Sequence, residues 1–282
     1  MLTADQDYAD DEVVRAMADR LEARGARATF LLTDPARGLP ADLNVRDGVA
    51  PELSDALGAA LRAGGHGLGI HPFPRVAGDV REVARAFAAR RGARPLIARN
   101  HHLRWSGHLE IPAIEAREGV AMNLDWMPVS RGGAPGVGFP GGSARPLRFV
   151  VDQRALPILQ QPTLIDDYSL RVPDYALLTP AAAALARASE ALIARARREG
   201  YGVVVNAHPI HARFAPQWLD PILGAPVGGI PRSGTQSFTL LTGYSPAQLA
   251  GFGGTWHIAV DPANAISELS ESNNVSDHAN AL

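Results

Sequence analysis

Helix-like stretches alternate along this chain with short, continuous apolar runs, and that alternation limits the folds open to it. Apolar residues recur at helical spacing from Val13 to Leu21, directly after Asp10 and Asp11, either of which can cap a helix. The following run, 28–33, has the length and composition of a buried parallel strand. The same order recurs in predicted helices at 51–61, 79–91, 111–117 and 179–199, and in predicted strands at 2–4, 66–70, 95–98, 120–124 and 202–207.

Strands and helices that alternate in this way form a parallel sheet with helices outside it. An open doubly wound sheet and a barrel both fit, and about seven strands within 282 residues favour a barrel in one α/β domain. We predict that this domain covers residues 1–267. Residues 131–146 are expected to form a loop, 255–260 a last strand, and the polar segment 268–282 a disordered tail.

Charge and cysteine content exclude several kinds of function. The formal net charge of -2 argues against a nucleic-acid partner, because binding to phosphates depends on clustered positive charge. The chain has no cysteine, so any metal must be held by histidines and carboxylates. No stretch resembles a signal peptide or approaches the ~18 apolar residues of a membrane span, which favours a cytoplasmic protein.

Polar side chains follow the predicted strands at the edge where parallel α/β folds place their active sites. The strand ends carry Asp5 and Asp7, His71, then Arg99, His101 and His102, then Asp125 and Trp126, and finally His208 and His211. Because the carboxyl ends of parallel strands meet at one edge, these side chains are expected to converge.

The residue types at these ends point to metal and acid–base chemistry. Asp5 and Asp7 occupy alternate positions of an extended segment, so one can bind a metal while the other acts as a base; a turn and a helix cap are the structural alternative. Arg99 can hold a carboxylate by two hydrogen bonds, beside a histidine that serves as metal ligand or proton donor. His208 follows three valines and should leave a buried strand directly into the site.

Five segments together resemble the motifs of the polysaccharide deacetylase family, also called carbohydrate esterase family four. The family pattern runs Thr-Phe-Asp-Asp-Gly, Thr-Phe-Phe, Gly-His-Glu-Ile-Gly-Asn-His, an arginine motif and Leu-x-His. The corresponding segments of this chain are 2–7 (Leu-Thr-Ala-Asp-Gln-Asp), 28–33 (Ala-Thr-Phe-Leu-Leu-Thr), 65–71 (Gly-His-Gly-Leu-Gly-Ile-His), 99–101 (Arg-Asn-His) and 205–208 (Val-Asn-Ala-His). Their order and spacing agree over residues 2–211.

This resemblance implies a distorted (β/α)7 barrel and a metal-dependent hydrolase that removes an acetyl group from a sugar nitrogen or oxygen. By position, Asp5 resembles the catalytic base and His71 a metal ligand. Arg99 resembles the residue that orients the base, and His208 the catalytic acid.

Two positions depart from the family pattern. The metal-binding aspartate that follows the base is replaced by Gln6, so that Asp7 must reach the metal, and the second ligand histidine is replaced by Arg75. Two protein ligands would hold a metal weakly, and a third is therefore needed. His101 is the first candidate, and His102, His208 and His211 are the alternatives.

The expectation from sequence is a zinc-type site formed by Asp7, His71 and His101, with Asp5, Arg99 and His208 catalytic. A carbohydrate or another acetylated small molecule is the expected partner, contacted by Trp105, Trp126, Asp125 and His211, with Trp218 a further candidate for stacking on a sugar. Two alternatives stay open: a non-catalytic sugar-binding or regulatory barrel without a working metal site, and a metal-dependent hydrolase of another C–N bond.

Overall fold

The computed structural model describes residues 1–7, 9–33, 53–128, 135–171 and 177–224, and the backbone of 255–259 and 275–279. The chain divides into two compact units, Met1–Gly228 and Gly229–Leu282. The predicted domain boundary at residue 267 and the predicted disorder of 268–282 remain predictions.

Thirteen strands lie in the described ranges, most of them short: β1 (Leu2–Asp5), β2 (Thr29–Leu32), β3 (Gly67–Ile70), β4 (Ile97–Ala98), β5 (Met122–Asn123), β6 (Gly136–Val137), β7 (Val150–Val151), β8 (Arg154–Ala155), β9 (Leu159–Gln160), β10 (Ile165–Asp166), β11 (Val205–Ala207), β12 (Thr255–Ala259) and β13 (Val275–Ala279). Nine of them form one sheet, in the order β6-β10-β11-β1-β2-β3-β4-β5-β9. Pairing along this sheet is parallel except between β6 and β10.

The sheet curls into a half-barrel with helices against it, which confirms the predicted α/β fold class and its distorted barrel. The first strand, β1, lies in the interior of the strand order, between β11 and β2. Residues at the carboxyl ends of β10, β11, β1, β2, β3 and β4 are therefore neighbours in space, although they are up to about two hundred positions apart in sequence.

Seven helices are described: α1 (Asp11–Glu22), α2 (Asp55–Ala63), α3 (Ala77–Arg91), α4 (Glu110–Glu118), α5 (Leu178–Glu199), α6 (Pro209–Phe214) and α7 (Asp220–Gly224). Helix α1 is capped as predicted, because the Asp10 side chain accepts a hydrogen bond from the Val13 amide. Helix α2 begins later than predicted, since its cap is Ser54, which accepts from the Leu57 amide. Pro51, the predicted start, lies outside the described residues.

The predicted loop at 131–146 contains a strand. Residues 131–134 lie outside the described ranges, but 136–137 form β6, antiparallel to β10. A Cβ atom on Gly136 would lie 2.7 Å from the Asp166 carbonyl oxygen, so glycine permits this close pairing. A two-residue strand has no periodicity from which to predict it.

In the second unit, β12 pairs with β13 in antiparallel orientation. A strand was predicted at 255–260, and its observed bounds are Thr255–Ala259. Within the described residues, no helix combines the length and the apolar character needed to cross a membrane.

Trp218 belongs to the core of the first unit and is not available to a sugar. Its side chain is fully buried (0% exposed) and packs in the main apolar cluster with residues such as Leu185 and Leu219. The suggestion that Trp218 stacks on a ligand is therefore wrong: apolar contacts bury this indole completely.

Replacing Trp218 by alanine should lower the free energy of unfolding by about 3–5 kcal/mol, because it leaves a large cavity in the main core. Urea denaturation followed by circular dichroism measures the change. Leu96→Ala is the control, since Leu96 is 62% exposed and its truncation should change stability by about 0.5 kcal/mol or less. Equal effects of the two substitutions would contradict the placement of Trp218 in the core.

Candidate metal centre

Three histidines converge on the carboxylate of Asp7. Its Oδ1 atom lies 3.0 Å from Nε2 of His71 and 3.4 Å from Nε2 of His101, and its Oδ2 atom lies 3.4 Å from Nε2 of His208. These residues follow β1, β3, β4 and β11, and the strand order brings those ends to one edge. The convergence expected from the sequence is present.

The turn after β1 turns Asp7 into the site and Gln6 away from it. Asp7 has φ of 46°, in the left-handed region that aspartate tolerates better than most residues. The buried Gln6 amide accepts hydrogen bonds from the backbone and hydroxyl of Thr33 and donates to the Ala9 carbonyl. Gln6 thus holds the turn in place, and the carboxylate that faces the histidines is one residue further along.

A backbone contact fixes the orientation of the His71 ring. Its Nδ1 atom lies 2.7 Å from the carbonyl oxygen of Arg99. A carbonyl only accepts, so Nδ1 carries the proton and Nε2 is the atom available to a metal. Metal-ligating histidines commonly have such a partner on the second ring nitrogen, which fixes both the tautomer and the ring orientation.

Asp7, His71 and His101 suit a tetrahedral ion in both spacing and chemistry. Ligands bonded at about 2.0–2.2 Å in a tetrahedron lie about 3.3–3.5 Å apart, close to the 3.0 and 3.4 Å observed between Asp7 and the two histidines. One donor atom from each of the three residues lies within 4.8 Å of the others. Two imidazoles and a carboxylate form a donor set that zinc accepts.

Two members of this set, His101 and Asp7, have the protonation state that a metal ligand requires. Burial, reinforced by the His71 charge, lowers the pKa of His101 to about 3, so its imidazole is neutral at physiological pH. Burial acts to raise the pKa of Asp7, but the charges of His208 and His71 outweigh it and hold that pKa well below its usual range. A neutral imidazole and an ionised carboxylate are the forms that bind metals.

Burial acts to lower the pKa of His71, the third member of the set, but the charges of Asp5 and Asp7 outweigh it and raise that pKa, so a bound metal would have to displace a proton from this imidazole. The alternative ligand His102 is exposed and belongs to a strained turn, with φ of 54°.

Asp5 is held by a buried guanidinium. Arg99 donates to Asp5 Oδ1 at 2.7 Å, and Asn206 donates to Asp5 Oδ2 at 3.0 Å. Nδ1 of His71 lies 3.8 Å from Asp5 Oδ1, so Asp5 borders the cluster formed by Asp7 and the three histidines. Arg99 therefore stands where the sequence predicted it, as the residue that orients this carboxylate.

His208 has a carboxylate partner that sequence reasoning missed. Its Nδ1 atom lies 2.5 Å from Asp167 Oδ1, and its backbone amide donates to Asp167 Oδ2 at 2.8 Å. Burial alone would lower the pKa of His208, but the charges of Asp167 and Asp7 outweigh it and raise that pKa well above the usual value. His211, predicted to contact substrate, lies with Nδ1 3.2 Å from Asp167 Oδ2.

Asp166 and Asp167 follow the apolar residues Leu164 and Ile165 at the end of β10, which was not predicted. Asp166 accepts from Asn206 at 3.1 Å, and burial together with the Asp167 charge raises the pKa of Asp166 to about 6. An apolar run that ends in two carboxylates is the same signal that marked the other strand ends. This signal was available in the sequence, and it could have identified Asp166 and Asp167 as candidate site residues.

A second buried polar network supports the segment that carries Arg99 and His101. The Asn100 amide donates to Asp125 Oδ2 at 2.6 Å and its backbone to Oδ1 at 2.6 Å, while Asn123 donates to Glu115 at 2.8 Å. Burial and the Asp125 charge raise the pKa of Glu115 well above its usual value. Asp125, predicted to bind substrate, thus has both carboxylate oxygens bonded to Asn100, and its contact with substrate remains a prediction.

Trp105 and Trp126 line an open groove of about 540 Å³ together with Phe149, and Asp125 forms part of its wall. The Phe149 ring lies 5.7 Å from the Trp105 ring and 6.0 Å from the Trp126 ring. The two tryptophans predicted to contact substrate are therefore brought together.

Comparison with known proteins finds similarity at the level of structure. Neither family models nor curated proteins match the chain. A protein from Bordetella bronchiseptica, described provisionally as a polysaccharide deacetylase involved in O-antigen biosynthesis, is 17% identical; the alignment covers 79% of this chain and 88% of that one, with a TM-score of 0.44. A protein from Mycobacterium smegmatis, described provisionally as a polysaccharide deacetylase, is 16% identical, over 79% and 84% of the two chains, with a TM-score of 0.48. The functional proposal below rests on the geometry of the site.

Replacing Asp167 by asparagine should destabilise the metal-free protein most between about pH 4 and 6.5. The folded-state pKa of His208 is raised, so its contribution to stability is complete below the unfolded value of about 6.5 and is lost as pH rises through the folded value. The lowered pKa of Asp167 makes its contribution complete above about 4. Urea unfolding of wild type and variant from pH 4 to 9 measures the difference, and a difference that grows above pH 7 would contradict the ion pair.

Proposed function

We propose that this chain is a metal-dependent hydrolase that removes an acetyl group from an N-acetylated or O-acetylated sugar. The observation that carries the proposal is the convergence of His71, His101 and His208 on Asp7, beside the buried Asp5. That arrangement combines a metal-binding set, a carboxylate base and a charged histidine acid in one site.

Asp7, His71 and His101 would hold the metal, with zinc the best match to two imidazoles and a carboxylate. When bound, such an ion supplies Lewis acidity toward an acyl oxygen and makes water a nucleophile at neutral pH. Gln6 and Arg75 do not count against this proposal. Asp7 presents its carboxylate one residue later than the family pattern, and His101 comes from the neighbouring strand.

Asp5 would remove the proton from the attacking water. Hydrogen bonds from Arg99 and Asn206 fix the orientation of its carboxylate, and the guanidinium balances its charge in the buried site. Each carboxylate oxygen has a further lone pair with which to accept a proton. A base held in this way needs little reorganisation when the proton moves.

His208 would donate a proton to the leaving amine or alkoxide. The ionised Asp167 holds Nδ1 of His208, so that Nε2 faces the centre of the site. The raised pKa keeps this histidine charged at neutral pH and thus able to act as an acid. Protonation matters most for an amide, because an amide anion is a very poor leaving group.

The groove between Trp105 and Trp126 would hold the sugar, because aromatic faces pack against the apolar face of a pyranose ring. Asp125 in its wall and His211 beside Asp167 are the further substrate contacts proposed. A cytoplasmic location is part of the proposal and is inferred from the sequence alone.

Zinc binding tests the proposed ligand set. Titrated calorimetrically, the metal-free wild type should bind one zinc ion, and His101→Ala should weaken binding by about a hundredfold or more, because two ligands remain. His102→Ala is the matched control, an adjacent histidine outside the set, and should bind like wild type. Unchanged affinity in the His101 variant would remove it from the ligand set, and a wild type that binds no zinc would favour the non-catalytic alternative.

Acetate release tests the reaction itself. The zinc-loaded protein is incubated with N-acetylated and O-acetylated sugars, and Asp5→Asn should lower kcat by about 10²–10⁴-fold while leaving one zinc bound. The loss follows from removal of the base with little change in side-chain shape. Equal release by wild type and variant would overturn the role of Asp5. Zinc binding without acetate release from any sugar would favour hydrolysis of another C–N bond.

A further inference from the structure

Two guanidinium groups at the rim of the site rest on aromatic rings. The Arg104 guanidinium carbon lies 4.3 Å from the centre of the Phe73 ring. The Phe73 ring in turn lies 5.0 Å from the ring of His101 and 6.2 Å from that of His102. Arg104 therefore stands one ring away from the proposed metal ligand.

The second guanidinium lies on the acid side of the site. The Arg171 guanidinium carbon is 5.9 Å from the centre of the Tyr168 ring, which is 45% exposed. Tyr168 directly follows Asp167, the partner of His208, in the turn after β10. An arginine that lies over an aromatic ring is therefore found both beside the proposed ligand His101 and beside the Asp167–His208 pair.

The two arginines border the same centre from two sides. The Phe73 ring under Arg104 lies 5.0 Å from the ring of His101, and Tyr168, whose ring lies under Arg171, directly follows Asp167, which is hydrogen-bonded to His208. His101 and His208 each lie 3.4 Å from the Asp7 carboxylate.

In the described part of the chain, carboxylates do not neutralise these two arginines, whereas they pair with several others. Arg20, Arg85 and Arg90 each form an ion pair with a carboxylate. Within the described ranges, Arg104 and Arg171 form no ion pair, and their recorded side-chain contacts are aromatic. The formal net charge of the chain is -2, so the two arginines do not reflect a general excess of positive charge on the protein.

An arginine stacked on a ring is suited to binding an anion. The ring covers one face of the planar guanidinium and restricts its rotation, while the N–H groups around its edge remain available. Those groups match the two oxygens of a carboxylate or phosphate and form charge-assisted hydrogen bonds with them.

We propose that Arg104 and Arg171 bind an anionic substituent of the substrate, a carboxylate or a phosphate, away from the acetyl group that is removed. This inference rests on the proposed function, and it narrows the substrate class to acidic or phosphorylated acetylated sugars.

The test compares N-acetylglucosamine, its 6-phosphate and N-acetylmuramic acid on the zinc-loaded protein. Wild type should bind the anionic sugars about 10-fold or more tightly than the neutral one, with a preference that falls at high salt. Arg104→Gln and Arg171→Gln should each weaken anionic binding about 10-fold and leave neutral binding unchanged. Arg85→Gln, an exposed arginine distant in the fold, is the control and should have no effect.

Affinity is measured calorimetrically, independently of turnover, alongside KM and kcat for acetate release. A KM effect without a kcat effect is expected, because these arginines do not touch the reacting atoms.

Preference for only the phosphate or only the carboxylate would identify the source of the charge. Equal binding of neutral and anionic sugars, unaffected by either substitution, would overturn the inference even if acetate is released. Absence of acetate release from every sugar would instead overturn the proposed function and leave arginine-dependent anion binding standing.

Discussion

The buried guanidinium of Arg99 is the interaction on which the rest of the site depends. It donates to Asp5 and Thr3 of β1, to Asn206 of β11, to Thr163 before β10 and to the Leu124 carbonyl after β5. An arginine has five N–H donors, and five such bonds are present. A permanently charged group is tolerated in the interior only when it is paired and its hydrogen bonds are satisfied. Asp5 and the surrounding oxygens meet that requirement and are fixed by it.

Strand order explains why such distant residues can act together. Because β1 lies between β11 and β2, Asp5 is beside Asn206 and faces the ends of β3 and β4. The polar groups at these strand ends are buried, and the cost of burying them is offset because they are hydrogen-bonded to one another at the edge of the sheet. The apolar core between sheet and helices can therefore remain intact while the edge carries the chemistry.

Much of this arrangement could be predicted from the sequence, and the failures have a physical pattern. Residues that directly follow long apolar runs, such as His71 and His208, were found because the signal is local. Asp167 was missed although the apolar residues Leu164 and Ile165 before Asp166 carry the same local signal, because a strand of two residues, β10, does not stand out as a predicted element. Glu115 was missed for a different reason: it lies on a helix, and only the packing of α4 against the sheet brings it to Asn123.

The contact between the Arg99 carbonyl and His71 Nδ1 has a consequence for how the site could change. One residue contributes its main chain to the orientation of a proposed metal ligand and its side chain to the proposed base. The two functions are thus coupled through a single Cα atom. Substitution at position 99 can release Asp5 yet keep His71 aligned, whereas a shift of the backbone there would displace both at once. The relative position of the proposed ligand and the proposed base thus depends on the main-chain position of this one residue at the end of β4.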